Sequence, residues 1–343
     1  MDKTRVLLMY GGESPEHEVS IQSARNVYAA LDDAKYDVSL CYIDKAGRFW
    51  LVPSLDSSHI GRPQLAPEPG QRQFLLVPDG SVLRPDVAFP ILHGKNGEDG
   101  TVQGMLELLH IPYVGPSVLG AALTMEKDTT KRLAVQAGLS VAPWRVWQTY
   151  EPKPSYSSLT AELGDTIFVK PSRAGSSVGV SKVKNASELD RALKEAARYD
   201  TKVLIEQAIN GREIEVAILG NATPSASLPG EVVPGAEFYD YNDKYSVAST
   251  AEVKVPADLN EVLARQLQRD AITLYKATNG QGMARVDFLV SADGVCYVNE
   301  VNSIPGFTSI SVYPRAFHVS GMNYGALVDK LIELALERSG VVH

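Results

Sequence analysis

The feature that most constrains the fold is an alternation of short apolar runs and helical patterns over the first third of the chain. Residues 5–10 form an apolar run that ends at a pair of glycines, as expected of a buried strand. Ser14 then predicts a helix N-cap, with Pro15 at the first helical position. Further apolar runs at 38–43 and 86–92 repeat the pattern. Strands that alternate with helices predict a parallel sheet covered on both faces.

The rest of the chain is organised differently. Between residues 124 and 212, a helix precedes a strand, a glycine loop, a second strand, a helix and a further strand, which predicts an α+β unit with antiparallel pairs. Residues 213–343 are rich in strand patterns and end in an amphipathic helix near 327–336. The Pro- and Gly-rich stretch 53–84 is predicted to be peripheral. We therefore expect three domains, 1–123, 124–212 and 213–343, which suits a chain of 343 residues.

Charge and cysteine content argue against several classes of function. Lys plus Arg number 33 against 41 Asp plus Glu, and this net charge of −8 disfavours nucleic acid or an anionic membrane as the main partner. No apolar stretch approaches the roughly 18 residues of a membrane span, and the first twenty residues show no export-signal pattern. Cys41 and Cys296 lie far apart without metal-ligand spacing, so we expect buried thiols in a reducing compartment. The expected location is the cytoplasm.

A hairpin pattern near the end of the chain is the most informative segment. Two β-rich runs, 285–290 and 295–301, flank a Ser-Ala-Asp-Gly turn. Either a four-residue or a two-residue loop places the same polar side chains on one face, namely Arg285, Asp287, Glu300 and Asn302. Carboxylate and amide oxygens suit Mg²⁺ held together with substrate phosphates. The same face is also compatible with a solvated polar surface on which Arg285 neutralises the acids.

Three other segments are candidate sites, each with a plainer alternative. Lys170 precedes a Gly-Ser-Ser-Val-Gly loop at 175–179, whose backbone N–H groups could lie over phosphates, although such turns are common in hairpins. His93 opens a loop at 93–100 at the end of a predicted parallel strand, where doubly wound sheets bind ligands, but a lone histidine is more often structural. Residues 237–245 hold four aromatic residues and a lysine without a period, which is typical of a lid or of a loop covering a core.

Together these segments resemble the D-alanine–D-alanine ligases of the ATP-grasp superfamily, over essentially the whole chain. The motifs that carry the resemblance are Gly11-Gly12-Glu13-Ser14-Pro15-Glu16, His93-Gly94-x-x-Gly97-Glu98-Asp99-Gly100, and Arg285-x-Asp287 with Glu300-x-Asn302-x-x-Pro305-Gly306. The resemblance implies a mixed α/β and α+β architecture, an ATP-grasp fold preceded by a Rossmann-like parallel-sheet domain. It implies ligation of two D-alanines through an acyl phosphate, for peptidoglycan precursor synthesis. It also implies ATP as co-substrate, two Mg²⁺ or Mn²⁺ ions, an optional monovalent cation and a homodimer.

The resemblance also implies roles for individual residues. Those that would orient the first D-alanine or stabilise the oxyanion are Glu16, Ser176, Tyr245, Arg285 and Gly306. Those that would bind substrate are His93, Lys244 and Ser311. Those that would contact ATP are Lys127, Lys170, Ser177, Glu206, Ile209 and Glu213. The metal ligands would be Asp287, Glu300 and Asn302.

Several alternatives stay open at this point. Tyr245 favours dipeptide formation over a ligase that uses D-lactate, whereas D-serine differs by one hydroxyl, worth only about 1–3 kcal/mol in a small pocket. A non-catalytic ATP-binding sensor has no need of Arg285, which argues against it. A nicotinamide-dependent enzyme is disfavoured because the loop at Gly11-Gly12 lacks Gly-x-Gly-x-x-Gly. Ala174 stands where many family members carry an acidic residue, so we expect the following loop to be anchored differently.

Overall fold

A computed structural model of the protein describes residues 2–233 and 252–340. The predicted lid, with Lys244 and Tyr245, lies outside these residues, so the expectations for it remain predictions. Within the described residues, no helix combines the length and the apolar character needed to cross a bilayer. Both cysteines, Cys41 and Cys296, are free thiols, and their predicted burial is confirmed.

The N-terminal unit is built on a seven-stranded sheet of order β6-β5-β4-β3-β2-β1-β7. Its strands are β1 (Thr4–Gly11), β2 (Tyr36–Ile43), β3 (Phe49–Val52), β4 (Gln64–Glu68), β5 (Gln73–Val77), β6 (Val82–Leu83) and β7 (Val87–Pro90). β1 pairs in parallel with β2 and β7, as the alternating pattern predicts. The helices α1 (His17–Ala30) and α2 (Thr101–Leu108) pack on its two faces, which explains its uninterrupted apolar sequence.

Two details of this unit differ from the prediction. β3 to β6 pair antiparallel, because turns rather than crossover helices connect them, so the supposedly peripheral stretch 53–84 supplies much of the sheet. The helix begins at His17 with Glu16 at its N-cap, two residues later than predicted. Ser14 Oγ accepts a hydrogen bond from Glu16 N at 3.0 Å and so closes a turn before the helix. The Glu16 side chain therefore lies at the helix start, near the carboxyl ends of the parallel strands.

A helical connection leads into the middle of the chain. It comprises α3 (Val118–Met125) and α4 (Lys127–Gln136), followed by the short strand β8 (Ser140–Val141). The next sheet is antiparallel, of order β11-β10-β12-β9, with β9 (Trp144–Gln148), β10 (Ile167–Pro171), β11 (Ser181–Val183) and β12 (Lys202–Gln207). Apolar residues of α5 (Tyr156–Leu163) and α6 (Ala186–Ala196) pack against it. This is the antiparallel α+β unit that the sequence predicts.

The third sheet runs in the order β16-β15-β13-β17-β18-β8, with β14 beside β13. Its further strands are β13 (Gly211–Leu219), β14 (Ser225–Ala226), β15 (Gly230–Val233), β16 (Glu252–Lys254), β17 (Met283–Ser291) and β18 (Cys296–Asn302). The helix α7 (Glu261–Ala277) covers one face together with α4. The helices α8 (Val312–Val319) and α9 (Tyr324–Arg338) join this sheet to the N-terminal unit in one apolar core. The predicted domain limits at 123/124 and 212/213 remain predictions.

Candidate active site

The hairpin β17–β18 places the predicted polar residues on one face, but by an unexpected route. Arg285 pairs with Asn302, and Asp287 pairs with Glu300. Near the turn, however, the register differs by one residue, since Val290 pairs with Cys296, and neither predicted loop length is correct. A bulge at Asn299 shifts the register by one residue, so that Glu300 lies opposite Asp287 and Asn302 opposite Arg285. Without it, Glu300 and Asn302 would point to the opposite face.

The side chains on this face hold one another in place. The Arg285 guanidinium donates from Nε to Asp287 Oδ1 and from Nη2 to Asp287 Oδ2, both at 2.7 Å. Arg285 Nε also lies 3.0 Å from Glu215 Oε2, and Asn302 Nδ2 donates to Asp287 Oδ2 at 2.9 Å. Burial alone would lower the pKa of Arg285, but Asp287 and Glu215 raise it well above its ordinary value. Arg285 is thus a permanent, oriented cation.

Carboxylates converge on the same face from the neighbouring strand. Glu213 and Glu215 lie on β13, and their carboxylate oxygens and one of Asp287 all lie within 4.8 Å of one another. Glu215 is directly opposite Asp287 in the ladder, and both side chains are buried. Three converging carboxylates with one guanidinium fit a hard divalent cation, because oxygen donors of this kind are what Mg²⁺ prefers. Sequence reasoning missed Glu215, although the alternation Glu213-Ile214-Glu215 puts both acids on one face.

Opposite this face, Lys127 and Lys131 from α4 and Lys170 from β10 form a cationic surface, the lysine wall. Lys127 Nζ donates to Ala174 O at 2.8 Å and lies 3.2 Å from Glu300 Oε2. Lys131, one turn further along α4, has its Nζ 2.9 Å from Glu206 Oε2, and Lys170 Nζ contacts the other oxygen of that carboxylate. Burial would raise the pKa of Glu206, but the two ammonium groups lower it to about 2. The sequence signal for Lys131, a second lysine four residues after Lys127, was missed.

The glycine loop between β10 and β11 packs onto the N-terminal unit. Ser176 and Ser177 have φ angles of 50° and 58°, an uncommon backbone conformation for residues other than glycine. Ser176 Oγ donates a hydrogen bond to Glu16 Oε1. A Cβ at Gly175 would lie 2.9 Å from Glu16 Oε2, so glycine permits this close approach. The structure therefore brings Glu16 and Ser176 together across two units.

The loop after β7 fastens the turn that carries Gly306. His93 is buried, with Nδ1 3.0 Å from Ile304 O and Nε2 3.1 Å from Ser23 Oγ, and burial lowers its pKa. The Glu98 carboxylate accepts hydrogen bonds from Gly94 N at 2.8 Å and Ile304 N at 3.0 Å. Burial and the nearby Glu16 carboxylate raise the pKa of Glu98 to about 8. Glu98 belongs to the 93–100 motif but is not among the residues predicted for the site.

The remaining predicted residues are Gly306, Ser311 and Ile209. A Cβ on Gly306 would be 2.8 Å from Ser311 Oγ, so these two residues are neighbours. Ser311 is the N-cap of α8, and its Oγ accepts from Thr308 N at 3.1 Å. Ile209 lies in the short connection between β12 and β13, half-buried, beside the strand that carries Glu206.

Two family models match this chain, one after the other. The model described as D-ala D-ala ligase N-terminus matches residues 5–116, and the model described as D-ala D-ala ligase C-terminus matches residues 133–333. The chain belongs to the D-alanine–D-alanine ligase family. Its three sheets are accordingly those of an ATP-grasp enzyme with an N-terminal α/β domain, as the resemblance in the sequence implies.

Relatives of this ligase family match nearly the whole chain. A D-alanine–D-alanine ligase from Proteus mirabilis is 44% identical over 98% of this chain and 96% of its own length. The structure of the D-alanine–D-alanine ligase from Coxiella burnetii matches with a TM-score of 0.90 and 38% identity, over 99% of this chain and 96% of that one. The VanG D-Ala:D-Ser ligase from Enterococcus faecalis matches with a TM-score of 0.89 and 34% identity, over 97% and 100%.

Proposed function

We propose that this chain ligates two D-alanines to D-alanyl-D-alanine, coupled to conversion of ATP to ADP and phosphate, in peptidoglycan precursor synthesis. One observation carries the proposal: the lysine wall and the carboxylate face meet at the Lys127–Glu300 contact. The loop that follows Lys170 reaches Glu16 through Ser176. Phosphate-binding groups, metal-ligand candidates and an acceptor for a substrate ammonium therefore surround one cleft.

In the first step, a carboxylate oxygen of the first D-alanine attacks the γ-phosphorus of ATP, and ADP leaves. Glu16, oriented by Ser176 and Tyr245, accepts hydrogen bonds from the ammonium group of this D-alanine. Positioning and charge stabilisation suffice for such a transfer, without a covalent nucleophile. The residues proposed to hold ATP through its phosphates, adenine and ribose are Lys127, Lys170, Ser177, Glu206, Ile209 and Glu213. The double contact of the Glu206 carboxylate with Lys131 and Lys170 supports a fixed orientation of that side chain.

In the second step, the amine of the second D-alanine attacks the carbonyl carbon of the acyl phosphate and the C–O bond to the phosphate breaks, while the proton that the amine loses leaves with the phosphate as hydrogen phosphate. Arg285 and the N–H of Gly306 stabilise the oxyanion that develops on the carbonyl oxygen. The fixed guanidinium of Arg285 supports this role, because it needs no reorganisation during the reaction. Lys244 and Ser311 take the carboxylate of the second D-alanine, and His93 is a further proposed substrate-binding residue.

The carboxylate face would hold two divalent ions, Mg²⁺ or Mn²⁺, through Asp287, Glu300 and Asn302, with Glu215 adjoining. When bound, such ions neutralise phosphate charge and orient the phosphates. A monovalent cation is a further optional ligand. We also propose a homodimer, which agrees with the family resemblance, and a cytoplasmic location, which agrees with the two buried free cysteines. We propose the three domains 1–123, 124–212 and 213–343, each of which contains most of one sheet, although β8 of the third sheet lies within the second domain.

The decisive experiment measures phosphate release from ATP and Mg²⁺ with D-alanine as the sole amino acid. L-alanine and a reaction without an amino acid are the controls, and mass spectrometry identifies the product. We expect release that depends strictly on D-alanine and yields the dipeptide. D-alanine paired with D-serine or with D-lactate gives the second and third arms, since one matching structure is named a D-Ala:D-Ser ligase. Faster turnover in either arm would replace the proposed acceptor, and ATP binding without release in any arm would favour a sensor.

A further inference from the structure

The lysine wall contains a cation to which the proposed reaction gives no role. The Lys131 side chain is 1% exposed, and its Nζ lies 2.9 Å from Glu206 Oε2. The same ammonium stands over the Trp144 ring, 5.8 Å from the ring centroid. Lys170 Nζ contacts Glu206 Oε1. One buried carboxylate therefore has two ammonium partners.

The two lysines differ in where they can go. Lys170 lies near the end of β10, shortly before the loop proposed to cover the phosphates, and its side chain is 8% exposed. Lys131 is enclosed between α4 and the ring of Trp144. A buried carboxylate needs a cation nearby, and one is enough to balance its charge. One of the two lysines can therefore leave, and Lys170 is the one proposed to bind a phosphate of ATP.

We infer that Lys131 is a positioning residue for ATP binding: it keeps Glu206 paired when Lys170 transfers its ammonium from that carboxylate to a phosphate of the nucleotide. This inference rests on the proposed function, in which ATP is the co-substrate. No covalent bond changes; one ion pair is exchanged for another. Without Lys131, the same movement of Lys170 would deprive Glu206 of both cations, and a buried unpaired carboxylate strongly opposes the movement.

The electrostatics of the cluster agree with this exchange. Burial would raise the pKa of Glu206, and Lys131 and Lys170 together lower it to about 2. Glu206 therefore stays ionised throughout the physiological range and always requires a partner. Burial lowers the pKa of Lys131, and the Glu206 carboxylate opposes that shift. The charge of Lys131 thus depends on the carboxylate that it neutralises.

The first variant is Lys131→Met, which removes the ammonium and keeps a long apolar side chain. We expect ATP with Mg²⁺, titrated without D-alanine in a calorimeter, to bind at least about tenfold more weakly than to the wild type. The KM for D-alanine should stay within about twofold. The melting temperature of the nucleotide-free protein should change little, because Lys170 still neutralises Glu206.

The second variant, Lys131→Met with Glu206→Gln, separates positioning from a direct contact. Position 206 then carries no charge and needs no cation, while its amide oxygen can still accept a hydrogen bond. We expect the double variant to bind ATP within about threefold of Glu206→Gln alone, since Lys131 then has no carboxylate to keep paired. Lys202→Met is the matched control: Lys202 Nζ lies 2.7 Å from Asp128 Oδ2 and 3.1 Å from Glu126 Oε1. It removes a lysine paired with two carboxylates of the same region and should leave ATP affinity unchanged.

Each outcome either supports the inference or overturns it. If Lys131→Met weakened ATP binding as much in the Glu206→Gln background as in the wild type, Lys131 would contact the nucleotide itself, and the inference would be wrong. It would also be wrong if Lys131→Met bound ATP like the wild type. A nucleotide-free melting temperature of Lys131→Met far below that of the double variant would show that the fold itself requires Lys131, which would overturn the inference as well. Failure of the wild type to bind ATP would instead overturn the proposed function.

Discussion

The two walls of the cleft carry opposite excess charge. One wall carries three lysines and one carboxylate: Lys131 and Lys170 contact Glu206, and Lys127 contacts Glu300 across the cleft. The other wall carries four carboxylates and one guanidinium among the described residues: Arg285 contacts Glu215 and Asp287, Glu213 lies beside these two acids, and Glu300 faces Lys127. Like charges clustered in a partly buried cleft repel one another, and a ligand of opposite sign relieves that repulsion. The lysine wall therefore fits phosphates. The carboxylate face of the β17–β18 hairpin, or hairpin face, fits divalent cations.

The walls also differ in rigidity, and this difference teaches what each one does. Lysine ammonium groups sit at the ends of flexible four-carbon chains and can exchange partners. On the hairpin face, by contrast, short carboxylates are fixed by a bidentate guanidinium, with both Arg285–Asp287 bonds at 2.7 Å. A fixed charge suits transition-state stabilisation, whereas a movable one suits capture of a ligand. We therefore expect changes on the hairpin face to lower the rate and changes on the lysine wall to lower nucleotide affinity.

The largest expected effect is that of Asp287→Asn. This change removes a carboxylate from the metal-ligand candidates and breaks the bidentate pair with Arg285. We expect D-alanine-dependent phosphate release to fall by at least about 10³-fold at any Mg²⁺ concentration. Asp293→Asn, in the exposed turn of the same hairpin, is the control and should keep full activity. Near-normal turnover of Asp287→Asn would remove the metal role from this face.

Replacing the guanidinium tests the same wall from its cationic side. Arg285→Ala should lower turnover by about 10²-fold, the usual effect of losing one oxyanion donor, with ATP affinity within about threefold of the wild type. Arg212→Ala is the matched control. Arg212 forms a similar bidentate pair with Glu231 on the adjoining strands, with Nε–Oε1 and Nη2–Oε2 distances of 2.7 Å. A loss of ATP affinity equal to the loss of rate would contradict the division of labour between the walls.

Acid titration probes the lysine wall without any ligand. The folded-state pKa of Glu206, about 2, lies below an ordinary glutamate value of about 4.3. A lowered pKa stabilises the fold above the unfolded-state value, and this contribution is lost as the pH falls from about 4.3 towards 2. Urea unfolding over this range should show the wild type losing on the order of 2 kcal/mol relative to Glu206→Gln. Parallel curves of unfolding free energy against pH for the two proteins would show that the lysines do not lower the pKa of Glu206.

How much of this contrast the sequence predicts depends on the kind of element. Strand alternation correctly places Arg285 and Asp287 on one face, since side-chain direction follows a period of two. The bulge at Asn299, which brings Glu300 to that face, leaves no sequence signal, because the extra residue is a local property of the paired strands. The pairing of Lys131 with Glu206 was equally hidden, because it joins a helix to a strand 75 residues away, a separation given by 206 − 131. Periodicity fixes direction within an element but not which elements meet.

The smallest expected effect lies away from both walls. Ser155 is the N-cap of α5, and its Oγ accepts a hydrogen bond from Ser158 N at 3.2 Å. Ser155→Ala should lower the free energy of unfolding by about 1 kcal/mol, measured by urea titration, because an N-cap acceptor is lost. Turnover and both KM values should stay as in the wild type. If turnover or KM changed through the loss of stability alone, the variants of the two walls would have to be assayed at the same interval below their own melting temperatures. Only the difference in activity that remained would then report the effect of the charges.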